Sequence, residues 1–118
     1  MGRLSTHVLD TVAGRAAQGV AIELQRLDPD GRWLHVKSMT TNADGRTDEP
    51  VLVGAAFAPG TYLLSFAIGD YFRRSGVCAA EPPFLDVVPV RFHLAEPDGH
   101  YHVPLLASPW SYSTYRGS

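Results

Sequence analysis

His100-Tyr101-His102-Val103-Pro104-Leu105-Leu106 alternates in character: Tyr101, Val103 and Leu105 are apolar, with His100, His102, Pro104 and Leu106 between them. Successive side chains of an extended chain point to opposite faces, so this spacing predicts a strand with Tyr101, Val103 and Leu105 toward a core. The same period recurs upstream. Val20, Ile22 and Leu24 alternate with Ala21, Glu23 and Gln25. Tyr62, Leu64, Phe66 and Ile68 share one face, and Val88, Val90, Phe92 and Leu94 share another, opposite Arg91 and His93. Between the runs stand Asp28-Pro29-Asp30-Gly31, Asn42-Ala43-Asp44-Gly45, Pro59-Gly60 and Pro97-Asp98-Gly99, residues that accept turn dihedrals. Only Ile68–Ser75 reads as a helix, about two turns long. Short strands separated by turns, with one short helix, predict an all-β sandwich. Pro89 and Pro104 each lack a ladder donor and are expected at an edge, a bulge or a strand end.

The composition agrees. The chain has 118 residues, of which 45% are hydrophobic and 19% charged. That is globular and large enough for a core within one domain, 1–118. A net charge of −2 offers no basic footprint, so no nucleic-acid partner is expected. The apolar runs fall short of a membrane span, and no membrane partner is expected either. Cys78 is the one cysteine, which rules out an internal disulfide and a cysteine-based zinc site; an inert thiol is expected. Met1–Asp10 lacks the apolar stretch of a signal peptide, and the chain does not end in Ser-Lys-Leu, so a cytoplasmic location is expected. So short a chain has little material left to wall in a deep pocket. A small-molecule site is therefore expected to need a second subunit.

His100 and His102 share the face turned away from the core, together with Pro104 and Leu106. Imidazoles mixed with apolar groups suit a subunit interface or a pocket wall. The residues alone leave several readings open. The histidines are ordinary surface or interface groups, or two of them share a metal for which only His7, through folding, supplies a third ligand. The facing of His7 within Leu4-Ser5-Thr6-His7-Val8-Leu9-Asp10 is ambiguous by alternation, and Arg46, after Asp44-Gly45, reads first as a solvated turn arginine. Ser111–Ser118 carries two tyrosines and an arginine close to its end, which points to a docked tail where chain ends commonly fray. Asp10 and Asp86 form no evident carboxylate pair, and no phosphate loop or serine elbow is present.

Leu4–Asp10, Thr41-Asn42-Ala43-Asp44-Gly45-Arg46, and His100–Leu106 with Ser108-Pro109 and Tyr112–Ser118 together resemble the 5-hydroxyisourate hydrolases, the enzyme branch of the transthyretin family. The resemblance spans nearly the whole chain, and Tyr115-Arg116-Gly117-Ser118 is its most specific mark, since hormone-carrying members replace that tetrapeptide and the histidines. It implies a two-sheet sandwich of about eight strands with one short helix. It implies a homotetramer, a dimer of dimers, with sites where dimers meet. It implies hydrolysis of 5-hydroxyisourate to 2-oxo-4-hydroxy-4-carboxy-5-ureidoimidazoline, a step in urate breakdown, without a cofactor or metal. By the same resemblance His7, Arg46, His102 and Ser118 are catalytic, and Tyr115, Arg116 and Gly117 bind substrate, the last residue forming part of the site. His100 is left at the rim.

These residue types suit that chemistry. Water needs a positioned base, and imidazole has the pKa for it. Charge develops on the carbonyl oxygen and must meet a cation or donor, and a guanidinium fork matches the polar edge of a flat ring. Ala16, Phe84-Leu85-Asp86, Ala107 and Trp110 depart from the common pattern, all outside the expected site. The competing expectations are a carrier of a small aromatic ligand, a three-histidine metal site and a purely structural domain.

Overall fold

The computed structural model describes residues 1–77 and 81–117, so Cys78 and Ser118 lie outside the described residues. Among the described residues nine strands form two sheets: β1 (Arg3–Asp10), β2 (Arg15–Ala16), β3 (Ala21–Leu27), β4 (Trp33–Thr40), β5 (Leu52–Val53), β6 (Gly60–Ala67), β7 (Val87–Leu94), β8 (His100–Ala107) and β9 (Tyr112–Thr114). One α-helix among the described residues, α1 (Ile68–Ser75), follows β6, matching the helical reading of the sequence, and a single 3-10 turn spans Gly54–Ala56. The count of nine includes the two-residue strands β2 and β5 beside β1. One sheet runs β2-β1-β8-β9 with β5 also on β1, and the other runs β4-β3-β6-β7. This is the two-sheet sandwich that the alternation predicts.

The core lies between the sheets. Leu4 and Val8 of β1, Ile22 and Leu24 of β3, Tyr62, Leu64 and Phe66 of β6, and Tyr101, Val103 and Leu105 of β8 are all buried. Two polar residues of β1 also face inward, and each is satisfied. The Thr6 hydroxyl donates to the Val103 carbonyl at 2.7 Å. Asp10 accepts from the backbone N–H groups of Val12 and Ala13 and from the Tyr71 hydroxyl. That last bond runs from α1 to the end of β1. Burial, then the bond to Asp10, pushes the Tyr71 phenol up to about 12.

The edges explain where the sequence was least legible. β4 is an edge strand with Leu34 and Val36 turned outward, so it shows no inward apolar period. β7 is the opposite edge, and Pro89 lies on it as expected. Pro104 departs from expectation: it sits inside β8, which is paired on both sides. Its place is nonetheless a gap in the tail ladder. β9 pairs as far as Leu105↔Thr114, and pairing resumes only at His102↔Gly117. Pro104 has no N–H to offer there, and its carbonyl takes the Thr114 hydroxyl instead. The tail is docked along β8 as far as Gly117.

Among the described residues no helix is long and apolar enough to cross a membrane.

Candidate active site

β1 and β8 run parallel, with Ser5 opposite His102 and His7 opposite Pro104. Leu4, Thr6, Val8 and Asp10 are buried, so Ser5 and His7 fall on the outer face that β8 gives to His102. This settles the facing of His7. Adjacent strands and a two-residue step set the Cα atoms of His7 and His102 about 8 Å apart.

Arg46 arrives from a loop. Asn42 organises that loop through its side-chain oxygen, which accepts from the backbone N–H groups of Asp44 and Arg46, while its amide donates to Asp48. The Asn42 N–H donates to the Arg46 carbonyl at 2.7 Å, closing the turn. Gly45 then ties the loop to β1, its carbonyl accepting from the Val8 N–H at 2.8 Å. Gly45 has φ +72, and a Cβ there would stand 2.4 Å from the Val8 oxygen and 3.2 Å from His7 Cδ2. Only glycine lets the loop lie this close to His7. The result is a cleft of ≈ 480 Å³ whose lining includes Arg3, Ser5, Arg46, Asp48, Glu49 and His102.

His102 is half-buried and held on two sides. The Ser5 hydroxyl lies 2.8 Å from its Nδ1. The Gly117 N–H donates to its carbonyl at 2.7 Å. Burial lowers its pKa below the ordinary 6.5, and the charge of Arg46 and then His7 lower it further. The imidazole is therefore neutral at pH 7, the form that can take a proton.

The structure thus brings together His7, Arg46, His102 and Gly117. It does not bring Arg116 or Tyr115 to them within one chain. Arg116 crosses to the other side of the sheet, where its guanidinium lies 4.1 Å from the centroid of the Tyr101 ring. Tyr115 and Arg116 line a separate cleft with Phe92, Tyr101 and Val103. Strand alternation explains the placing of Arg116, since neighbours along an extended tail turn to opposite faces. His100 pairs with Arg3 at the start of the strand and is exposed. Among the described residues no group of three or more His, Cys, Asp or Glu side chains could hold a metal ion.

Three residues of the site were missed by the sequence reasoning: Ser5, Asn42 and Gly45. Asn42 and Gly45 were visible only as turn residues. Ser5 carried a usable signal, since it shares the parity of His7 along β1.

Residues 4–117 match the model of the HIUase/Transthyretin family. The chain belongs to that family. It is 58% identical over 117 residues to 5-hydroxyisourate hydrolase 2 of Rhizobium meliloti (strain 1021), covering 99% of this chain and 97% of that one. The crystal structure of an (S)-allantoin synthase superposes with a TM-score of 0.93 at 48% identity, covering 99% of this chain and 44% of that longer one. Sea bream transthyretin in complex with thyroxine superposes with a TM-score of 0.87 at 32% identity, covering 98% of this chain and 94% of that one. The family fold is thus shared by a hydrolase and a thyroxine-bound protein, and the chemistry has to be argued from the cleft.

Proposed function

We propose that this protein hydrolyses 5-hydroxyisourate to 2-oxo-4-hydroxy-4-carboxy-5-ureidoimidazoline in urate breakdown, in the cytoplasm and without a cofactor. The observation that carries the reading is the meeting of Arg46 and His102 in one cleft, with His7 on the same outer face one step along β1 and close enough to help hold the His102 pKa below its ordinary value. Identity of 58% over 117 residues to a 5-hydroxyisourate hydrolase supports the same substrate.

Each group has a defined task. His7 and His102 orient a water molecule and remove its proton as the oxygen attacks the ring carbonyl carbon. Arg46 binds the polar ring edge and meets the charge that develops on the carbonyl oxygen. The C–N bond then breaks, and the proton passes to the departing nitrogen. Ser118, next in sequence after Gly117, enters the proposal as a further catalytic group. The cleft is open on one side, and a second subunit completes it in a homotetramer built as a dimer of dimers. Tyr115 and Arg116 enter the proposal as substrate-binding groups of the assembled cleft, since in one chain they line a cleft separate from that of His102.

The test couples urate oxidase to the protein and follows the loss of freshly made 5-hydroxyisourate. Accelerated loss that requires His7 and Arg46 is expected. Decay at the spontaneous rate, with binding of the ring but no turnover, would replace the hydrolase reading with a carrier.

A further inference from the structure

We propose that Ser5 is a positioning residue for His102: with Gly117 it clamps the imidazole so that Nδ1 is tied off and Nε2 alone is offered to the cleft. This deepens the hydrolase reading and rests on it.

An imidazole on a strand has two nearly equivalent settings about its terminal torsion, which exchange Nδ1 with Cδ2. A neutral ring also has two tautomers, and the one that leaves Nε2 free to take a proton requires Nδ1–H to donate to the Ser5 hydroxyl oxygen, the arrangement proposed for His102. Parallel pairing sets Ser5 directly beside His102 on the outer face, with Oγ 2.8 Å from Nδ1. On the opposite edge stands the Gly117 backbone. A Cβ at Gly117 would lie 2.8 Å from His102 Cδ2, 3.1 Å from its Cβ and 3.3 Å from its Cγ. One edge of the ring thus meets a hydroxyl and the other meets a close-packed glycine. Turning the ring over would put a carbon against the hydroxyl and a polar nitrogen against Gly117, and would lose the one hydrogen bond that the ring makes among the described residues. Ser5 therefore selects the setting of the ring, and Gly117 leaves it no room to drift. Neither contact involves Cε1 or Nε2. Ser5 itself touches no reacting atom in this scheme.

The experiment reads the ring and the reaction separately. The ring nitrogens of His102 are followed by 15N NMR at neutral pH in the wild type, Ser5→Ala and Ser5→Thr, and kcat and KM are measured on the same samples. Wild type and Ser5→Thr, which keeps a hydroxyl, are expected to show one tautomer. Ser5→Ala is expected to show an averaged pair, with kcat lower by about ten-fold, the worth of one hydrogen bond, and KM changed by less than about two-fold. Ser5→Ala with wild-type ring-nitrogen shifts and wild-type kcat overturns the proposal, as does a failure of Ser5→Thr to restore the single tautomer. If the wild type shows no hydrolase activity while Ser5→Ala still averages the tautomers, the clamp stands and the assigned reaction falls. Gly117→Ala provides a second variant: its Cβ is expected to displace the ring and alter the same nitrogen shifts, and an unmoved ring counts against the clamp.

Discussion

Gly45→Ala is expected to cost both stability and turnover. Gly45 has φ +72, a left-handed conformation that costs an alanine about 1–2 kcal/mol. The added Cβ would also stand 2.4 Å from the Val8 carbonyl oxygen, a backbone atom that cannot simply swing aside. Relieving that contact pulls the loop from β1 and weakens the bond from the Val8 N–H to the Gly45 carbonyl, about 1 kcal/mol more. The sum is about 2–3 kcal/mol, or a melting temperature lower by roughly 10 °C for a chain of this size. The control is Gly31→Ala. Gly31 has φ +85, but nothing lies within 4 Å of its Cβ position, so only the conformational part applies. Its melting temperature should fall by about 5 °C, and its turnover should stay at the wild-type value. Because Gly45 carries Arg46 and packs on His7, moving it by even about 1 Å should lower turnover by up to 100-fold. Calorimetry at one fixed protein concentration and the coupled assay measure the two effects, since any assembly makes melting depend on concentration. If Gly45→Ala melts with Gly31→Ala and turns over at the wild-type rate, the argument that this glycine sets the loop against His7 is refuted.

Other outcomes follow from the same structure. His102→Asn should lower turnover by at least about ten-fold without unfolding the protein; a variant at the wild-type rate would remove His102 from the mechanism. Since the folded His102 binds its proton more weakly than its ordinary 6.5, the acid limb of the wild-type pH profile should lie below pH 6.5. As pH falls through that range the unfolded chain takes up the proton first, so stability should also decline, and His102→Asn should lessen that slope. Tyr71→Phe should cost about 1–2 kcal/mol by removing a hydrogen bond to Asp10. The raised Tyr71 pKa means that an unfolded tyrosine loses its proton first, near 10. Wild-type stability should therefore fall between pH 10 and about 12, and a denaturation series should find that extra loss absent from Tyr71→Phe.

Much of the fold was legible because burial imposes period two. β3, β6, β7 and β8 all announce their inward faces, and α1 stood out against them. β4 escaped because an edge strand with both faces largely exposed keeps no apolar period, and β2 and β5 are too short to carry any. Pro104 broke its rule because the tail ladder has a gap opposite it. The site was legible unevenly for a similar reason. His102 could be placed on an outer face by alternation alone. His7 needed the neighbouring register, with Leu4, Thr6, Val8 and Asp10 turned inward. Arg46 depends on hydrogen bonds of Asn42 and on the closeness of Gly45 to β1, and no local pattern encodes those. Arg116 shows the limit of motif reading most clearly. One residue from Gly117, it lies over the Tyr101 ring on the opposite face.

The most direct measurement is the circular dichroism of the product. 5-Hydroxyisourate also decays unaided, so rate by itself can mislead, but unaided decay in water yields a racemate. The attacked carbonyl carbon becomes a carboxylate, so handedness resides at the hydroxyl-bearing ring carbon that the substrate already carries, and a chiral cleft that holds the ring between Arg46 and the two histidines should turn over one hand of it. With wild-type protein the signal should grow in step with substrate loss, and with His102→Asn it should shrink with the lost rate. A product without optical activity, formed no faster than in buffer, would contradict the assignment of this cleft to hydrolysis.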